Sequence, residues 1–244
     1  LGALTYGYEL VRQALQPQMI VGGSDENMST FAIYLLALNS DLQLTCDPAD
    51  FKVYSQNAKG YVPGEGAGML LIEDLQHAQE RGAHIHAEIV GYGKSNDGSF
   101  FAQEDMPARI ESMAAAIRQA LQEADMKPEE VDLICGTSDG TLTRDAVEIG
   151  AVRSTFGEAR RNLPFVNYNG WFGLVESSIG ILNIAVVTEI MKRGEILPIP
   201  YTENFSADDI AFVTKPLKKN VRNALVLGAT EGGNHYAVLL RSMA

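Results

Sequence analysis

Residues 60–68 read Gly60-Tyr61-Val62-Pro63-Gly64-Glu65-Gly66-Ala67-Gly68, four glycines and a proline in nine positions. Glycine admits backbone conformations and close approaches that a Cβ forbids, and proline fixes its own φ, so this composition serves a demanding turn. The run that follows, Met69-Leu70-Leu71-Ile72-Glu73, is short, continuous and apolar, as a buried strand is. A glycine-rich turn feeding such a strand predicts a hairpin beneath a buried core.

Helical and strand periods alternate on either side. Leu1, Leu4, Tyr8, Val11 and Leu15 recur at three- and four-residue steps and predict a helix over 1–15. A strand over 19–22 and a helix over 30–38 come next, then an irregular loop through Cys46-Asp47-Pro48. Beyond the glycines, a helix is expected at 75–81 and a strand at 85–91. Ile110, Met113, Ala114, Ile117, Ala120 and Leu121 mark a helix over 108–124, which Pro128 separates from a strand over 131–135. Further helices at 145–156 and 176–193 and two closing paired strands, 224–228 and 236–241, complete a layered α/β pattern. Glu65-Gly66 before Met69-Leu70-Leu71-Ile72 is echoed by Glu231-Gly232-Gly233 before Ala237-Val238-Leu239-Leu240, a faint internal repeat.

With 46% hydrophobic residues in 244, the chain can bury a sizeable core. Its apolar stretches are broken before they could span a bilayer and no leader precedes them, so a cytoplasmic location is expected. The balance of 31 acidic against 19 basic residues, net −12, disfavours nucleic acid and anionic membranes. Cys46 and Cys135 lack any CxxC spacing and predict neither a metal site nor a disulfide framework. His84 and His86 alternate on one strand face, expected to be solvated, and no cofactor or metal is expected.

Taken with Ile20-Val21-Gly22-Gly23-Ser24-Asp25 and the ordered segments 137–145, 165–180 and 230–240, the glycine-rich stretch resembles the ketosynthases of the thiolase-like superfamily. Its Tyr61-Val62-Pro63 lead-in looks most like the chain length factors, the subunits that pair with a ketosynthase in type II polyketide synthases. The resemblance implies a thiolase-like, layered α-β-α-β-α fold. Residues 1–92 would end its N-terminal half and 93–244 would form the C-terminal half. The family's nucleophile position would fall a few residues before Leu1. The chain is therefore expected to be the C-terminal piece of a longer protein, completed by its own N-terminal fragment.

Ketosynthases use a cysteine nucleophile, two histidines and a lysine. The resemblance puts the first histidine position at Thr137, or at Cys135 if Gly136-Thr137-Ser138 is matched directly. It puts the lysine position at Asn169 and the second histidine position at Leu174. Neither Thr137 nor Cys135 supplies an imidazole, and the apolar Leu174 can neither donate to an enolate nor carry a proton. Cys135, at the end of an apolar strand, is expected to be buried and structural. A glutamate, Glu231, stands where the family carries a gating phenylalanine, and His235 is expected to be a hydrogen-bonded turn residue. Trp171 and Phe172 are expected to plug the vacated site.

No catalytic residue is therefore expected. The resemblance implies a chain length factor that pairs with a catalytic ketosynthase and shapes the tunnel for a poly-β-keto chain, with Phe31 and Met28 as tunnel candidates. Acyl carrier proteins are acidic, so a carrier is expected to dock mainly through the ketosynthase. The competing expectation is a divergent β-ketoacyl synthase or acyltransferase with its own cysteine nucleophile.

Overall fold

The computed structural model describes residues 1–38, 42–43, 45, 47–98 and 105–243. Cys46 lies outside them. The chain opens with helix α1 (Gly2–Arg12), strand β1 (Gln18–Asp25) and helix α2 (Thr30–Leu36). β2 (Gly66–Glu73) leads into the one-and-a-half-turn helix α3 (Leu75–Glu80), β3 (Ala87–Asn96) and the long helix α4 (Met106–Glu123). Then come β4 (Leu133–Cys135), α5 (Leu142–Phe156), β5 (Phe165–Val166), the single turn α6 (Asn169–Phe172) and α7 (Ile179–Arg193). The short pair β6 (Glu195–Ile196) and β7 (Leu217–Lys218) precedes the closing hairpin of β8 (Asn223–Ala229) and β9 (Asn234–Ser242).

Helix starts follow cap chemistry. The Asp105 carboxylate accepts from Ala108 N–H at the head of α4, with Pro107 in its first turn, and Thr141 Oγ1 accepts from Arg144 N–H at the head of α5. α7 stops at Gly194, whose φ of +65° is the left-handed conformation that ends helices.

Five strands form the central sheet in the order β3-β9-β8-β4-β5. The β3–β9 and β9–β8 pairs are antiparallel and the β8–β4 and β4–β5 pairs are parallel. The inner strands read as apolar runs, with Leu133, Ala224–Leu227 and Ala237–Leu239 fully buried, because helices cover both faces. Gly91 and Gly93 on β3 let α4 lie directly on the sheet: a Cβ on Gly91 would come within 3.0 Å of Ala124 N, and one on Gly93 within 2.9 Å of Ala120 N.

The expected hairpin at the glycine-rich stretch is corrected: β2 pairs antiparallel with β1, from Gln18 opposite Glu73 to Asp25 opposite Gly66. Neighbouring glycines on the two strands, Gly23 and Gly68, face each other. Element ends differ as well. The first helix stops at Arg12, where the chain turns through Ala14 at φ +56°. α7 begins at Ile179 and not at Glu176, because Ser177 N–H, Ser178 N–H and the Ser177 hydroxyl all donate to the Asp25 carboxylate and pin that segment to the end of β1. His84 and His86 precede β3, exposed as expected, with their rings edge to face at 4.8 Å. No helix among the described residues is long and apolar enough to cross a membrane.

Candidate functional site

Where β4 ends, the chain continues through Gly136 to Thr137 and Ser138, which line a cavity of about 390 Å³. The loop before α7 contributes Leu174 and Glu176, the β8–β9 turn contributes Glu231, the start of β9 contributes His235, α4 contributes Arg109 and Met113, and Asp97 closes the wall just past β3. Thr137 and Leu174 thus meet in one cavity although they are distant in sequence.

Behind that wall lies a buried polar cluster. Glu148 on α5 accepts from Thr137 N–H at 2.8 Å, from Ser138 N–H at 3.0 Å and from the Tyr54 hydroxyl. Asp145, one helical turn earlier, accepts from Tyr54 N–H at 2.7 Å and from the Ser138 hydroxyl. Asn167 donates to Tyr54 Oη at 3.0 Å and to Ser138 O at 2.9 Å. Asn169 donates its amide hydrogens to the carbonyls of Thr137 and Ser138 at 3.0 and 2.9 Å, while its Oδ1 is buried without a partner among the described residues. Burial raises the Glu148 pKa, and Asp145 is pushed up to about 7, again chiefly by burial.

Leu174 is held by its backbone. Its N–H donates to Val62 O at 2.7 Å and its carbonyl accepts from Gly64 N–H at 3.1 Å. A Cβ on Gly64 would lie 2.9 Å from the Cα of Gly173, which itself has φ +73°. The glycine-rich stretch therefore serves a main-chain clasp that fixes the cavity loop.

Cys135 is fully buried on β4 and absent from the cavity wall, and burial drives its thiol well above the ordinary range. Such a thiol is a poor nucleophile. The expectation that Trp171 plugs the site is corrected: it is 42% exposed, stacked on Tyr168 at 5.1 Å, and neither Trp171 nor Phe172 lines the cavity. Phe31 and Met28 are 70% and 48% exposed at and before the start of α2, apart from this cavity and from a cleft of about 730 Å³ between α1, β2 and α3. Sequence reasoning missed Tyr54, Asp145, Glu148 and Asn167. The spacing of Asp145 and Glu148, two acids three apart on a helix whose neighbours are Val147, Ile149 and Val152, was the available signal. The Asp97–His235 contact had none, since the two lie far apart in the chain.

The five-stranded mixed sheet with a cavity at its strand ends belongs to a thiolase-like ketosynthase fold, as two family models and the superposed structures show. The beta-ketoacyl synthase N-terminal domain matches residues 1–78 and the beta-ketoacyl synthase C-terminal domain matches 86–203. The chain belongs to the beta-ketoacyl synthase family. It is 30% identical over 197 residues to 3-oxoacyl-(acyl-carrier-protein) synthase 2 of Staphylococcus aureus, covering 78% of this chain and 47% of that one. It is 31% identical over 244 residues to a Streptomyces virginiae protein provisionally named polyketide beta-ketoacyl synthase 1, covering 98% and 57%. The chain spans about half the length of these relatives. Among solved structures, a type II polyketide synthase acyl carrier protein in complex with its ketosynthase superposes with a TM-score of 0.91 at 24% identity, covering 99% of this chain and 60% of that one. The ishigamide ketosynthase/chain length factor superposes with a TM-score of 0.87 at 24% identity, covering 100% and 58%. At that identity the likeness bears on the fold.

Proposed function

We propose that this chain is a chain length factor, a non-catalytic subunit that pairs with a catalytic ketosynthase and shapes the tunnel holding a poly-β-keto chain in type II polyketide biosynthesis. The observation that carries this reading is the chemistry at three positions in and behind the cavity wall. By resemblance to the family, Thr137, Asn169 and Leu174 stand in place of a histidine, a lysine and a second histidine. The Leu174 side chain offers no proton and no polar contact, and Asn169 commits its side-chain donors to two backbone carbonyls. An enolate formed there would meet no imidazole or ammonium from these positions.

The same reading assigns the exposed Phe31 and Met28 to the tunnel wall shared with the partner. A net charge of −12 directs an acidic carrier protein toward the ketosynthase subunit, and the assembly works in the cytoplasm. The border expected between two thiolase-like halves, 92/93, falls inside β3, while the two domain matches leave 79–85 between them. The second reading, a β-ketoacyl synthase in its own right, draws on the names of the relatives, which are synthases.

A thiol-directed acyl-mimicking inhibitor separates the two. The full protein is coexpressed with a ketosynthase, treated, and weighed by intact-mass spectrometry. Adduct confined to the ketosynthase is the expected result; adduct on this chain, with condensation surviving loss of the ketosynthase thiol, overturns the proposal.

A further inference from the structure

The helix and antiparallel strand pair at the head of the chain are repeated near its end. α1 packs on β1 and β2 as α7 packs on β8 and β9, and the second strand of each pair follows a Glu-Gly turn, Glu65-Gly66 before β2 and Glu231-Gly232 before β9. The two copies differ at their edges. β8 has β4 parallel beside it and β9 has β3 antiparallel beside it, and both flanking strands precede the pair in the chain. β1 and β2 form a sheet only with each other among the described residues. A two-stranded ribbon is marginally stable in water, and its open edge is a template for a further strand.

The cleft of about 730 Å³ follows that edge of β2. Consecutive residues, 69–74, line it from the β2 side, and 83–89, which lead into β3, line it from the other. Residues from both faces of one strand meet a single cleft only along the strand's edge. At roughly 3.3 Å per residue, such a stretch gives an edge of about 20 Å, the length of one ordinary strand. Buried Leu4, Ile184 and Leu240 give the cleft an apolar floor. Its charged groups are the carboxylates of Glu73, Asp74, Glu88 and Glu189 against the guanidiniums of Arg12 and Arg81, beside the exposed imidazoles of His84 and His86, a balance that favours a basic segment over an acidic one. The relatives are longer than this chain, which covers 47% and 57% of them. We propose that residues preceding Leu1 in the full protein supply a basic strand, apolar at alternate positions, that lies in this cleft antiparallel to β2 as β3 lies beside β9. The occupant comes from upstream because both strands that flank the second copy precede it. The inference rests on the repeated strand pair and the cleft, and holds whether or not this chain condenses acyl groups.

The test uses the full protein, with and without a ketosynthase. Hydrogen exchange of residues 69–73, read amide by amide, is expected to show protection on both edges of β2: amides turned away from β1 should exchange roughly a hundredfold more slowly than in an unstructured peptide, as those turned toward β1 do. His86→p-benzoyl-phenylalanine, a photoactivatable change at an exposed position of the cleft, is expected to cross-link within one polypeptide to a peptide that precedes Leu1. Fast exchange at the outer edge overturns the proposal, as does protection that is lost when the ketosynthase is removed. An adduct to the ketosynthase, to a carrier protein or to a second copy of this chain overturns it too, since the cleft would then be an interface between molecules. Where the substituted protein does not fold or yields no adduct, exchange in the unaltered protein decides the matter.

Discussion

Asp145 shows what burying a carboxyl group does to a fold. Its pKa is raised from 3.8 to about 7, so the favoured buried form is the neutral acid. The unfolded chain ionises near the ordinary value. Stability from the neutral acid is therefore fully present below pH 4 and is lost as pH rises through about 7. Between pH 5 and pH 8 the unaltered protein should lose on the order of 2 kcal/mol that Asp145→Asn retains, since the amide can still accept from Tyr54 N–H and pair with the Ser138 hydroxyl. Urea melts of both proteins at the two pH values measure this, and parallel pH profiles would contradict it. The sequence made the cavity positions Thr137 and Leu174 legible because they fall in contiguous motifs. It hid the cluster behind them: Tyr54 reaches Glu148 from a distant loop, and no local pattern encodes that contact.

At the scale of elements, periodicity located nearly every long helix and strand, since apolar spacing is set by the same burial that forms them. It failed on partners. The stretch at 60–68 was readable as a turn, yet its strand pairs with β1 and not with a neighbour, because pairing is decided by register across the sheet. Two glycines of that one stretch should behave differently. A Cβ on Gly64 collides with the main chain of Phe172 and Gly173, whereas one on Gly66 meets only the Val175 side chain at 3.7 Å. Gly64→Ala should cost on the order of 3 kcal/mol by forced separation of the two segments. Gly66→Ala should change stability by less than about 1 kcal/mol. Thermal melts of the pair check this, and equal losses would refute the clasp.

Across the whole molecule, apolar side chains gather on one outward sheet face, where Ile20, Met69 and Leu71 are exposed, and along α2, where Phe31, Tyr34 and Leu35 are. Contiguous exposed patches of this kind mark association surfaces. If α2 borders the shared tunnel, Phe31→Ala in a reconstituted ketosynthase complex should shift the products toward longer polyketides without stopping condensation. Mass spectrometry of the product mixture reads this directly, and an unchanged length distribution would remove Phe31 from the tunnel. The fold class was open to sequence reasoning because motif order survives even at 30% identity. The outward faces were not, since an exposed and a buried apolar residue look alike in one dimension. Gly64 and Gly173 meet main chain to main chain, so the pressure to keep them small is the same in a working catalyst as in a companion stripped of its reactive groups. A search keyed to those glycines sorts proteins by architecture and is blind to turnover.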